Sequence, residues 1–354
     1  MPRFRVIRGL LAGVLATALT VLPVGSGAIP YTDQVEDDFA QAAVLDSALE
    51  DRLRTFLSTQ PGRYSVSVQE LGGQERGVAI SARLRTEPAS TIKLFYAWLA
   101  LRQVDRGVLS LGTVLPSGFT LHTCLKLMIS VSDNYCSIDI REKLGNRWVN
   151  QQLAAQGYPD SFLQLDSRGE YLGKRTSTAD LNRLLYRIES GTALSATSTT
   201  FLHSLLLAQI WRARISSGVD VAAVVESKSG QLKIDTGMVE ADVAIVRGPT
   251  TSYVVSVIGS YNAKKFVIQR LSRLIYEHFE GPLVTLASYP LEQYVTYRPT
   301  TVTDSATATR GLVVPAGTRV EVIASIRSRM YAKVAGRTGW VPFAALRLRP
   351  EYRW

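Results

Sequence analysis

Ser90-Thr91-Ile92-Lys93 places a hydroxyl and an amine three residues apart. A serine hydroxyl is a poor nucleophile unaided and needs a base to take its proton. At the start of a helix a three-residue offset puts both side chains on one face, so the Lys93 amine lies beside the Ser90 hydroxyl. The helix N-terminus disfavours added positive charge and favours a developing anion, which helps keep that amine neutral. Two further segments follow in order, Ser132-Asp133-Asn134 and Lys228-Ser229-Gly230. Ser132 offers a proton relay and Asn134 an amide for hydrogen bonding to a substrate amide. Lys228 and Ser229 offer a clamp for an anion, and Gly230 has no side chain to keep a substrate backbone off the chain. Each segment alone is common: an N-cap serine beside a solvated lysine, a helix-capping Ser-Asp-Asn turn, an exposed Lys-Ser-Gly turn. The ordered triple is what points to acyl transfer.

The triple resembles the signature of the serine penicillin-recognising enzymes, the class A β-lactamases and their penicillin-binding relatives. The resemblance covers roughly residues 44–280. It extends to Thr176-Ser177-Thr178-Ala179-Asp180-Leu181, like the Thr-rich helix start after the family's omega loop, and to Gln209-Ile210-Trp211-Arg212-Ala213-Arg214-Ile215, like the segment before its Lys-Ser-Gly strand. It implies a two-lobed fold with Ser90 between the lobes, Lys93 as base, Ser132 as relay to the leaving nitrogen, and Lys228 and Ser229 on a substrate carboxylate. The N–H groups of Ser90 and Gln231 would form the oxyanion hole.

Two departures bear on turnover. The family carries a Glu-x-x-x-Asn element in the omega loop, whose Glu activates the deacylating water. Here residues 163–175 hold Asp166 and Glu170 but no such element. Glu170, six residues before Thr176, is the candidate water base, against a solvated loop carboxylate. The strand after Lys-Ser-Gly often carries an Arg that meets the carboxylate, whereas here it reads Asp242-Val243-Ala244-Ile245, with Arg247 further on. Acylation is therefore better supported than fast hydrolysis.

The elements that must position these residues follow from periodicity. Val44, Leu45, Leu49, Leu53, Phe56 and Leu57 recur at helical spacing. Residues 64–68 and 77–80 alternate as strands around Gly72-Gly73. A helix begins near Pro88 and runs to Gly107, with proline in its first turn and glycine past its end. Residues 120–215 read as mostly helical, with helices over 121–129, 139–144, 148–155, 177–188 and 201–210. Strands resume at 221–227, 237–246 and 253–260, with Lys228-Ser229-Gly230 ending the first of them, and a helix spans 264–279. The order implies an α+β fold: an antiparallel sheet built from both ends of the chain, flanked by terminal helices, with an inserted helical lobe. Residues 282–297, with prolines 282 and 290, read as a linker. Residues 298–354 alternate in short runs with a Gly-Thr turn and Gly339-Trp340-Val341, and resemble a small bacterial SH3-like barrel. The domains are thus 1–28, 29–281, 282–297 and 298–354.

The 354 residues are 46% hydrophobic and 20% charged, which excludes wholesale disorder. Arg3, Arg5 and Arg8 precede an apolar run from Gly9 to about Val24, followed by Ser26-Gly27-Ala28. This reads as a secretory signal peptide over 1–28, an uncleaved anchor being the alternative; the run is shorter than the roughly 20 residues of a spanning helix. No transmembrane span is expected once it is removed. The expected location is therefore outside the cytoplasm, secreted or in the cell envelope. The net charge is +10, and residues 297–354 hold ten Lys/Arg against three Asp/Glu. A basic module on an exported chain suggests an acidic polymer such as the cell wall, not nucleic acid.

Cys124 and Cys136 flank Ser132-Asp133-Asn134. They form one disulfide that staples that segment, or remain two buried thiols. His122, His203 and His278 are scattered, and neither a metal nor an organic cofactor is implied. The expectation is a serine hydrolase of class A β-lactamase type that forms an acyl-enzyme on Ser90 with β-lactams and hydrolyses it. One alternative is a D,D-peptidase or penicillin-binding protein acting on peptidoglycan stem peptides with slow deacylation. The other is a wall-binding protein with a degenerate hydrolase domain.

Overall fold

A computed structural model describes residues 44–352. The signal-peptide or anchor reading of residues 1–28 falls outside them. The chain runs β1 (Val44–Leu45), α1 (Ser47–Leu57), β2 (Arg63–Glu70), β3 (Arg76–Ile80), a 3₁₀ turn at Ala89–Ile92 and α2 (Lys93–Asp105). Then come α3 (Leu121–Ser130), α4 (Asn134–Leu144), α5 (Asn146–Ala155), β4 (Phe162–Leu165), β5 (Tyr171–Arg175), α6 (Thr178–Glu189) and α7 (Ala196–Leu207). Next are β6 (Val224–Ile234), β7 (Gly237–Arg247), β8 (Ser252–Ser260) and α8 (Lys265–Glu280). Seven strands end the chain: β9 (Tyr294–Thr296), β10 (Thr300–Val302), β11 (Leu312–Val314), β12 (Arg319–Ile326), β13 (Arg329–Val334), β14 (Arg337–Pro342) and β15 (Leu346–Leu348).

The main sheet has the order β1-β3-β2-β8-β7-β6, antiparallel apart from the short β1–β3 pairing. Both chain ends contribute to it, as expected. Alternation along β7 sends Ala244 and Val246 to one face and Val243 and Ile245 to the other. The first face packs on α1 and α8 through Leu49, Leu53, Val267, Leu271 and Ile275. The second packs on the helical lobe. Within that lobe, residues 94–101 of α2 are all buried, so this helix runs through the lobe's centre. Burial on every side fixes the axis of α2, and with it Lys93, its first residue.

The disulfide forms: Cys124 on α3 is bonded to Cys136 on α4, both fully buried. Asp139 lies beside both sulfurs, which are already committed to each other. The bond closes a ring of 12-residue separation around Ser132-Asp133-Asn134. Replacing both cysteines by serine is expected to lower unfolding free energy by about 3 kcal/mol at most. Urea denaturation checks this, and an unchanged midpoint would count against any constraint by the bond.

Four expectations are corrected. Val44 and Leu45 form the exposed strand β1, because the Asp46 side chain accepts the Leu49 N–H and starts α1 only after it. Residues 120–215 are not helical throughout: β4 and β5 form a hairpin whose turn is held by the Asp166 carboxylate, which accepts the N–H groups of Arg168 and Glu170. Lys228-Ser229-Gly230 lies within β6, not at its end, since pairing with β7 continues from Val224 to Ile234 and outweighs the poor strand preference of glycine. The linker is docked and ends early. Asp220 accepts the N–H groups of Val284 and Thr285, and Tyr294 already belongs to β9.

The C-terminal strands form a five-stranded antiparallel sheet, β14-β13-β12-β9-β15, and a two-stranded ribbon, β10-β11. No helix among the described residues is long and apolar enough to cross a membrane.

Candidate active site

The three sequence segments meet between the sheet and the helical lobe. Ser90 lies in the 3₁₀ turn that runs directly into α2. The preceding residue, Ala89, has φ +50°, and Ser132 has φ +63°. Left-handed backbone at a non-glycine residue costs energy and persists where the surroundings enforce it, often at functional sites. At Ala89 the enforcing groups include Glu87, whose Oε1 accepts the Ala89 N–H at 3.1 Å.

Lys93 Nζ donates to Ser132 O and to Asn134 Oδ1, each at 2.7 Å, and stands 3.3 Å from Ser132 Oγ. Lys228 Nζ meets the same Ser132 Oγ at 3.0 Å and its neighbour's carbonyl, Ser229 O, at 2.9 Å. Ser132 Oγ is thus bracketed by two amines. Ser90 Oγ, half-buried, makes no hydrogen bond to another described residue, and the Lys93 amine is directed to the Ser132–Asn134 segment. A catalytic hydrogen bond that tightens only with substrate bound is common.

Burial holds the Lys93 amine well below the usual lysine range; repulsion from Lys228 and Lys174 adds to the effect and Asp133 opposes it. Burial likewise brings Lys228 down to about 7, with Asp242 opposing and Arg214 reinforcing. Asp242, fully buried, is raised to about 6 by desolvation. It accepts the Ile215 N–H at 3.1 Å.

β6 is the edge strand of the main sheet, and its free edge faces the Ser90 turn. A Cβ on Gly230 would stand 2.7 Å from the Ser90 nitrogen, 3.0 Å from Ala89 Cβ and 3.1 Å from Pro88 O. Only glycine lets the strand come this close. Gln231, next along, is exposed and lines the cleft.

The Gln209–Ile215 segment stitches the two sides together. Gln209 Nε2 donates to Ser229 Oγ at 3.3 Å, and Trp211 Nε1 donates to Val131 O at 3.0 Å. Arg214, nearly buried, lines the cleft beside Ser229 and is held from β7 by Glu240, with Nε–Oε2 at 2.8 Å. Its part in the cleft was missed from the sequence. The signal was in the segment already singled out, but a cation sought on the strand after Lys-Ser-Gly comes instead from this loop.

Two cavities open at Ser90. The larger, about 310 Å³, is lined by Ser132, Asn134, Trp211, Arg214, Ser229 and Gly230 among others. The other, about 180 Å³, is lined by Lys93, Tyr96, Asn134, Arg141, Tyr171 and Lys174. None of the described residues lining this second cavity is a carboxylate. Glu87, next to this lining in sequence but not part of it, accepts the Ala89 N–H and pairs with Lys174 Nζ at 3.1 Å. Glu170 lies elsewhere. It is exposed in the β4–β5 turn, its N–H bonded to Asp166 Oδ1 at 2.8 Å, and it is not among the residues that line either cavity.

An antiparallel sheet, a helical lobe and a serine flanked by two buried lysines together define a serine hydrolase of the β-lactamase/transpeptidase-like fold. Residues 48–279 match the Beta-lactamase enzyme family, and the chain belongs to it. Its fold is similar to that of PBP-A, with 23% identity over 68% of this chain and 98% of that one and a TM-score of 0.61. It is also similar to a PBP-A mutant solved as an acyl-enzyme complex with penicillin G (22% identity, 68% and 98% covered, TM-score 0.60). A third likeness is to an ancestral class A β-lactamase, GNCA (23% identity, 65% and 100% covered, TM-score 0.59). Among curated proteins none matches the chain.

Proposed function

We propose that this chain is an exported enzyme acylated at Ser90 by β-lactams and by the peptidoglycan stem peptides they mimic, and that it deacylates slowly, in the manner of a penicillin-binding protein or D,D-peptidase. The neutral Lys93 amine takes the Ser90 proton as Oγ attacks the carbonyl carbon. The N–H groups of Ser90 and Gln231 receive the oxyanion. The proton passes from Lys93 through Ser132 to the leaving nitrogen, and the C–N bond breaks. Lys228, Ser229 and Arg214 hold the substrate carboxylate, and Asn134 its amide. The C-terminal sheets are read as an SH3-like module whose basic surplus keeps the enzyme near the wall.

The observation that carries slow deacylation is the cavity on the Lys93 side of Ser90. A hydrolytic water there meets Lys174, Tyr171 and Arg141, and no free carboxylate to take its proton. Incubation with a fluorescent penicillin tests the reading: label on the protein should persist long after free penicillin is removed. Transient label with accumulating hydrolysed penicillin would reverse the choice in favour of a β-lactamase. Absence of label would remove the acyl-transfer assignment.

A further inference from the structure

The larger cavity at Ser90 is not built by the matched region alone. Ile323, Ala324 and Ser325, from β12 in the C-terminal sheet, form part of its wall. A β-bulge makes this possible. Pairing of β12 with β13 runs Val322↔Ala332 and then Ala324↔Tyr331, leaving Ile323 as an extra residue. Val322 stays in the core, while Ile323 is 42% exposed and turned to the cavity.

The wall is fastened to the catalytic segment itself. Asp133 is nearly fully buried, and its two oxygens serve different partners. Oδ1 accepts the Cys136 N–H at 2.7 Å and caps α4. Oδ2 accepts Ser325 Oγ at 2.7 Å and the Arg327 N–H at 2.8 Å. The Arg327 side chain reaches Asp139 at 3.4 Å and lies over the Tyr135 ring. Ile323 is thereby tied, through Ser325 and Arg327, to the segment that carries Ser132, and it lines the same cavity as Ser229 and Arg214.

We propose that the β12 bulge is the specificity wall for the leaving group, with Ile323 limiting the size of the carboxylate-bearing residue that departs when Ser90 is acylated. This rests on the acyl-transfer reading above, which places the substrate carboxylate at Ser229 and Arg214. The other cavity at Ser90, assigned above to the hydrolytic water, is lined by no C-terminal residue. A small departing residue passes under Ile323, and a bulky side chain meets it.

Thioesters of one N-acylglycyl group with mercaptoacetate, 2-mercaptopropanoate and 2-mercapto-3-phenylpropanoate test this in the full chain. In each reaction the Ser90 Oγ–acyl bond forms and the acyl–sulfur bond breaks. The electron pair leaves with sulfur, and the Ser90 proton goes to the thiolate, which a thiol reagent counts. The acyl-enzyme is the same in every case, so differences in kcat/KM report acylation. Wild type should prefer the smaller leaving groups. Ile323→Ala should raise the phenyl substrate relative to mercaptoacetate by about 10-fold or more, and Ile323→Trp should lower it, in line with the size discrimination of apolar pockets. A phenyl-to-mercaptoacetate ratio of kcat/KM that stays at the wild-type value in both variants overturns the proposal while leaving acylation intact. A wild type that releases no thiol and takes no penicillin label overturns the acyl-transfer reading, and this inference with it.

Discussion

Ser90→Ala is expected to take no fluorescent penicillin at all, with acylation reduced by about 10³-fold or more, because the covalent route is lost and only binding remains. The variant should fold. Ser90 is half-buried and its hydroxyl satisfies no other described residue, so the change leaves no orphaned partner. Thermal unfolding close to that of wild type, with label absent, is the expected pair of results. Label that survives in this variant would move the nucleophile elsewhere.

Lys93→Ala should cost nearly as much, about 10²–10⁴-fold in acylation, as for loss of a general base. The pH profile of acylation distinguishes the two lysines. The depressed pKa of Lys93 means that the neutral, proton-accepting form exists above it and is lost as pH falls through it. Lys228 works the other way. Its charged form holds the substrate carboxylate, so for carboxylate-bearing substrates kcat/KM should fall as pH rises through about 7. The free enzyme's profile is therefore a bell with its alkaline limb near neutrality. In Lys228→Arg the rate should drop and the alkaline limb should disappear, because a guanidinium stays protonated. An alkaline limb unchanged in that variant would take Lys228 out of carboxylate binding.

The sequence made the site readable where chemistry needs a particular residue at a particular offset. Lys93 bonds Ser132 O and Asn134, Lys228 bonds Ser132 Oγ, and Ser90, Ser132, Asn134, Ser229 and Gly230 line one cavity. What periodicity could not show was set by partners distant in sequence. β6 runs on past Gly230 only because β7 pairs along its whole length. Arg214 is aimed by Glu240, and the position of Glu170 is decided by a turn around Asp166. The bulge at Ile323 leaves no local pattern, since it is defined only by the register of β12 against β13. Asp133 looked like an ordinary helix cap, and half of its carboxylate turned out to serve the hairpin.

That shared carboxylate ties the fate of two halves of the gene product. Shortening the polypeptide to the span common to its relatives would hand the outer oxygen of Asp133 to solvent and strip one side from the cleft. Engineers wishing to graft this enzyme's selectivity onto another scaffold would have to carry the appended strands along with the active centre.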